Sequence, residues 1–282
     1  MRKRSERVGR TTLDLRIEPG HLAVDDATLA RLLGDSARGI AAYYGKLPFE
    51  RARVVVTPAS EPGIHGGTRC SYGVGRVALS VGGRAGAAEF REDWIVTHEL
   101  LHVAFTSLVD EDPTYQWVGE GLSSYVEPLV RVRAGTLSED ELWRSLLRGA
   151  PQGLPEAGDE GLNRTHTWGR TYWGGDLYWL EVDLVIREQT QNKRSIRDAL
   201  RAIAAAGTNI CVDWPMERVI ATGDAATGTH ALADVYARRA LTNAAPELEV
   251  WWKKLGVELR DGHAVFDNGA PWADTRRRMT AD

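Results

Sequence analysis

The residues of this chain best suited to chemistry lie in one short run, Thr97-His98-Glu99-Leu100-Leu101-His102. Residues four apart on an α-helix are separated by about 400° of turn, so His98 and His102 project from one face. Two imidazoles so arranged can each reach one zinc ion at about 2.0–2.1 Å. Glu99 falls about 100° further round the same helix, beside the metal position yet displaced from it. A carboxylate there is suited to take a proton from metal-activated water. Catalytic zinc takes three protein ligands and leaves one position for water. Glu120, 18 positions after His102 in Trp117-Val118-Gly119-Glu120-Gly121-Leu122, is the expected third ligand. The plainer reading is a surface helix with incidental histidines, and in Glu120 a carboxylate favoured near a helix N-terminus. Against it, Trp94, Ile95, Val96, Leu100, Leu101, Val103, Ala104 and Phe105 predict a buried helix. Two histidines and a glutamate inside such a helix need partners. One Zn²⁺ per chain supplies them.

The elements that must position these residues follow from periodicity. Thr11 to Glu18 alternates polar and apolar side chains, as a strand does. Val24 to Tyr44 carries a helical stripe of Leu29, Leu32, Leu33, Ile40 and Tyr43, with Asp25 or Asp26 as its cap. The β-branched run Arg53 to Thr57 ends at Pro58, and the glycine-rich stretch 61–86 brackets a further strand at Arg76 to Val81, the edge of a small sheet. From Glu89 the pattern turns helical: 89–108, 116–133, 138–147, 170–190, 195–206, 214–222, 231–241 and 247–255. Gly207 and Gly223 stand where helix ends belong, residues 149–167 read as a long loop, and 273–282 as a frayed tail. Strands first and helices afterwards predict an α+β fold. Its expected parts are a β-rich N-terminal lobe, 1–88, and a helical lobe, 89–282, together one catalytic unit with the zinc site between them.

Composition narrows the class. A chain of 282 residues, 43% hydrophobic and 26% charged, is long enough for a well-buried core. Its formal net charge of −4 gives no reason to expect nucleic acid as a partner. No apolar run reaches the roughly 18–20 residues of a membrane span. The basic start Met1 to Arg7 is followed by no apolar segment, so no secretory signal is visible and a cytoplasmic setting is expected. Cys70 and Cys211 lie 141 positions apart, which excludes a paired-thiolate metal site. Two reduced, mostly buried cysteines are the expectation, with a disulfide as the alternative.

The run His-Glu-Leu-Leu-His followed by Trp117-x-x-Glu120-Gly121-x-x-x-Tyr125 resembles the gluzincin metallopeptidases, in particular the glycyl aminopeptidase family and more distantly the membrane alanyl aminopeptidase family. Thr171-Tyr172-Trp173-Gly174-Gly175-Asp176-Leu177, Leu180 to Arg187, Ser195 to Leu200 and Asp234 to Val257 continue the likeness, which spans about residues 50–262. The resemblance implies a thermolysin-like catalytic fold and peptide or peptide-like substrates. It implies that Tyr172 stabilises the oxyanion of the tetrahedral intermediate; a phenol donates to developing charge without ionising. It also implies that Gly66-Gly67-Thr68-Arg69-Cys70 is the edge strand that binds substrate, so Gly66, Gly67 and Arg69 are candidate substrate residues. There are two departures. Gly174 replaces the family's lysine, and Arg69 replaces the glutamate that holds a substrate's α-amine. An arginine repels an ammonium and grips a carboxylate. Ordinary aminopeptidase specificity is therefore in doubt, unless Arg69 simply faces solvent. Two other functions stay open: a zinc hydrolase of a non-peptide amide or an epoxide, and a catalytically silent binding module. His65, His166 and His230 are expected to be solvated or locally satisfied.

Overall fold

Five strands form one mixed sheet in the computed structural model, which describes residues 1–108 and 113–281. They are β1 (Arg2–Val8), β2 (Thr11–Ile17), β3 (Arg51–Ala59), β4 (Ile64–Ser71) and β5 (Val74–Gly82), in the order β1-β2-β3-β5-β4. The β2–β3 and β3–β5 pairs are parallel, and the two outer pairs are antiparallel. The glycine-rich strand β4 is thus an edge, whereas β5, expected at the edge over Arg76 to Val81, is paired on both sides and lies inside the sheet. The alternation of β2 buries Leu13, Leu15 and Ile17 on one face, joined there by Val54, Val56, Val77 and Leu79. Helix α1 (Asp26–Tyr44) connects the parallel strands β2 and β3, as a parallel pair requires, and buries Leu29, Leu33 and Ile40. Its cap is Asp25, whose carboxylate accepts from the Ala27 and Thr28 amides.

The single helix expected over 89–108 is two, α2 (Ala87–Glu92) and α3 (Ile95–Ala104). The break lies at Asp93, whose backbone is extended and whose carboxylate accepts from the Ile95 amide at 2.7 Å. A short acidic side chain that bonds its own neighbouring backbone competes with helix continuation and starts a new helix instead. Strand β6 (Ser107–Leu108) then pairs with β7 (Asp213–Trp214).

The described chain continues with α4 (Gln116–Arg133), α5 (Glu139–Gly149), a π-helical turn at Arg170–Gly174 leading into α6 (Gly175–Thr190), and α7 (Ile196–Ala205). After β7 come α8 (Met216–Thr227), α9 (Ala231–Arg239), α10 (Leu248–Leu255), the hairpin β8 (Val257–Arg260) and β9 (His263–Phe266), and α11 (Ala273–Ala281). Three expectations fail here. Gly223 sits inside α8, which ends instead at Gly228 with φ 69°. The β8–β9 hairpin and β1 are additions to the expected elements. The expected frayed tail is helix α11 as far as Ala281, with Asp282 outside the described residues. Its Arg276, 3% exposed, donates to the carbonyls of Leu255 and Gly256 at 2.6 and 2.8 Å. Those bonds satisfy orphan carbonyls at the end of α10, which no reading of local polarity reveals.

By contacts the chain divides into two compact units, Met1–Ser107 with Ile203–Trp214, and Leu108–Ala202 with Pro215–Asp282. In the first, the returning segment is tied down by Ile210 N to Val103 O at 3.2 Å and by Ser107 N to Val212 O at 3.1 Å. In the second, α4 and α6 are clamped by Tyr125 Oη to Asp183 at 2.8 Å and by Trp179 Nε1 to the Val118 carbonyl at 2.9 Å. The architecture is mixed α and β with one principal sheet. No helix among the described residues is long and apolar enough to cross a membrane.

Candidate metal centre

Helix α3 is apolar on nearly every side, and this buries His98 (2% exposed), Glu99 (5%) and Thr97 along with the leucines. The Nε2 atoms of His98 and His102 face each other at 3.1 Å. Two nitrogens that bind one tetrahedral zinc at about 2.0–2.1 Å lie about 3.3 Å apart, so the pair is already set for a shared ion. His98, His102 and Glu120 each offer one ligand atom, and these atoms all lie within 4.8 Å of one another. Two imidazoles and one carboxylate are the donor set that zinc takes when a position stays open. The Trp94 ring meets His98 edge to face, with centroids 4.7 Å apart, and restrains that imidazole.

Glu99 is held by the edge strand. Thr68 Oγ1 lies 2.6 Å from Glu99 Oε2 and 3.0 Å from the Glu99 carbonyl oxygen, and its single proton serves one of them at a time. The same approach accounts for Gly66. A Cβ there would stand 2.7 Å from Glu99 Cγ and 3.0 Å from Ile95 Cγ1, so only glycine lets the strand come this close. At Gly67 a Cβ would meet nothing within 4 Å, so packing does not demand that glycine. Side chains alternate along a strand. Since Thr68 faces Glu99, Arg69 projects from the opposite, exposed face of β4, with Arg76 as its cross-strand neighbour.

Tyr172 lies in the π-helical turn before α6, half-buried, with its ring stacked on exposed Trp168 at 5.5 Å. Such turns widen a helix and reorient side chains, often at functional positions. This one is fastened by Arg170, which donates to the Gly153 carbonyl and lies 3.4 Å from Asp159. The Trp173 ring packs where a Cβ on Gly149 would lie only 2.0 Å away. The departure at Gly174 has a local cause: a Cβ there would already be 2.7 Å from Leu162 Cδ2. Close approach also explains Gly121 beside Glu120, since its Cβ would stand 2.2 Å from the Gly175 carbonyl carbon. Asp176, 3% exposed, is pushed up to about 8 by burial. His65, His166 and His230 are all exposed, His65 resting 3.2 Å from the Pro62 carbonyl.

Two features of the site have no counterpart in the local sequence pattern. Thr68 carries no signal there, because its partner is 31 residues away. Cys70 and Cys211 form a disulfide, Cα–Cα 5.0 Å, against the expectation of reduced thiols. Neither is buried. Cys70 lies near the end of β4 on the same face as Gly66 and Thr68, so the bond pins the far end of the edge strand to segment 203–214. The pairing also removes the support that free thiols lent to a cytoplasmic setting.

The fold is one found in the M1 zinc metallopeptidases. An aminopeptidase N family protein from Idiomarina loihiensis matches 92% of this chain with a TM-score of 0.65 at 14% identity. An M1 zinc metallopeptidase from Deinococcus radiodurans matches 88% with 0.54 at 15%, and yeast LTA4 hydrolase 87% with 0.57 at 13%. The chain spans 50%, 53% and 40% of those proteins, about half their length or less. No protein-family profile matches the chain, and no curated protein sequence does.

Proposed function

We propose that this chain is a zinc-dependent peptidase, in which His98, His102 and Glu120 hold the ion and Glu99 is the general base. The observation that carries the reading is the convergence of three ligand atoms within 4.8 Å, with the Glu99 carboxylate on the same helix and held by Thr68. The ion would supply Lewis-acid polarisation of the scissile carbonyl and of the attacking water. Glu99 takes the proton of that water and passes it to the leaving amine. Thr68 fixes the carboxylate through its hydroxyl, so that little reorientation is needed before the transfer. Tyr172 donates a hydrogen bond to the oxyanion. Gly66 and Gly67 leave the edge of β4 open for a peptide backbone, and Arg69, on the face of β4 turned away from Glu99, pairs with a substrate carboxylate that reaches that face.

The test is Glu99→Gln, which keeps the shape and removes the base. The variant should bind one zinc per chain and lose turnover by about a thousandfold or more, on the scale of general base and orientation effects combined. Undiminished cleavage by this variant sinks the assignment. A panel of peptides free or blocked at each end reads the specificity. Cleavage indifferent to carboxylates on the substrate would refute the role given to Arg69.

A further inference from the structure

The sheet of the first unit turns one face to its apolar core and the other outward. On the outward face Asp14, Arg53, Arg76 and Arg69 are direct cross-strand neighbours on β2, β3, β5 and β4. The one acid of the row is engaged sideways by Arg51 at 2.7 Å. Among the described residues the other three guanidiniums meet no carboxylate, and the Nε atoms of Arg53 and Arg76 are buried without a hydrogen-bond partner. Like charges directly opposite one another destabilise a sheet. Strands are about 4.8 Å apart, so three cations share roughly 10 Å in a chain whose net charge is −4. Such a row is complementary in charge to an anion lying across it.

We propose that this arginine row is a binding surface for acidic stretches of a polypeptide substrate. The inference rests on the peptidase reading and names the class of substrate that site would favour. Arg69 is adjacent to Thr68, whose hydroxyl meets Glu99, so a peptide with its reactive bond at Glu99 reaches the row by crossing β4. In an extended peptide, carboxylates two residues apart are about 7 Å from each other, a spacing at which two of them span the row. Guanidinium and carboxylate pair in bidentate fashion. Nucleic acid fits less well, because the next row on that face, Arg16, Val55, Ala78 and Gly67, adds one cation and small or aliphatic residues but no aromatic ring on which a base could stack. A lipid surface fits less well too, since the same small residues offer nothing to insert.

The experiment measures fluorescence anisotropy of a labelled peptide with six consecutive glutamates, and of its lysine counterpart, on Glu99→Gln protein at physiological ionic strength. The acidic peptide should bind at least about tenfold more tightly than the basic one. The double variant Arg53→Gln/Arg76→Gln should lose about tenfold in that affinity, while its melting temperature stays level or rises as repulsion is relieved. Equal binding of the two peptides, or unaltered affinity in the double variant, overturns the proposal. So does tighter binding of an oligouridylate or of phosphatidylserine vesicles. Should the double variant fail to fold, a salt titration reads the same pairing on the unmodified surface. The acidic peptide's affinity should then fall as salt rises, and salt-insensitive acidic binding overturns the proposal. Acidic-peptide binding by a protein that cleaves no peptide would sink the peptidase reading and leave the surface standing. Cleavage without acidic preference would do the reverse.

Discussion

Removing the Cys70–Cys211 bond perturbs both stability and the site, and the size of each effect follows from the structure. The cross-link closes a loop of 141 residues. On the chain-entropy account a loop of that length restricts the unfolded ensemble by about 17 cal/mol/K, or about 5 kcal/mol at 25 °C. Measured values fall below that ceiling, typically about 2–4 kcal/mol. For a protein of this size each kcal/mol moves the melting temperature by about 2–4 °C, so a fall of roughly 5–15 °C is expected. The assay is calorimetric or circular-dichroism melting of the unmodified protein and of Cys70→Ser/Cys211→Ser, each with and without dithiothreitol. Reductant should lower the first curve onto the second and leave the second alone. Because Cys70 lies on the strand that carries Gly66, Thr68 and Arg69, the variant should also show a KM raised more than kcat is lowered. Coincident melting curves, or two titratable thiols in the unfolded, unreduced protein, would refute the reasoning.

Gly121→Ala would drive its Cβ to 2.2 Å from the backbone of Gly175, and should cost about 3 kcal/mol or more, read as a lowered denaturant midpoint. Gly67→Ala, with open space around it, should leave that midpoint unmoved, and a shift as large as that of Gly121→Ala would contradict the packing argument. Asp176 titrates at about 8 in the folded state against 3.8 in a free chain. The folded state therefore holds a proton the unfolded state has lost, so this residue's stability contribution is full below 3.8 and declines as pH rises toward 8. The slope is about 1.4 kcal/mol per pH unit. Asp176→Asn should flatten it, and an unchanged pH profile of melting would refute the burial argument. Zinc at about a hundred times its Kd should stabilise the protein by about 2.7 kcal/mol. Glu120→Ala should abolish most of that gain, measured as a thermal shift, and a full shift in the variant would exclude Glu120 as a ligand.

Much of the candidate site was legible in the chain because its information is local. The spacing of His98, Glu99 and His102 sets their angles on any helix, and the apolar flanks predict the burial that α3 shows. Asp25 as a cap, the strand alternation of β2 and the helices α4 to α10 are likewise decided within a few residues of themselves. Where two local rules compete, the pattern misleads. Asp93 breaks a helix that its apolar neighbours would continue, and Gly223 lies inside α8 because Leu232 packs against it.

What the amino-acid order determined alone is the set of local angles: which side chains share a helical turn, which alternate on a strand, and where a cap begins. The tertiary structure decided everything that depends on two distant segments meeting. Thr68 finds Glu99 across 31 residues, Cys70 finds Cys211 across 141, and three arginines on three strands become one row. Arg276 turns a charged terminal segment into a packed helix by the same means. A linear chain specifies dihedral preferences residue by residue, whereas contact between remote segments is settled only when loops close and strands register, and that energy belongs to the whole fold.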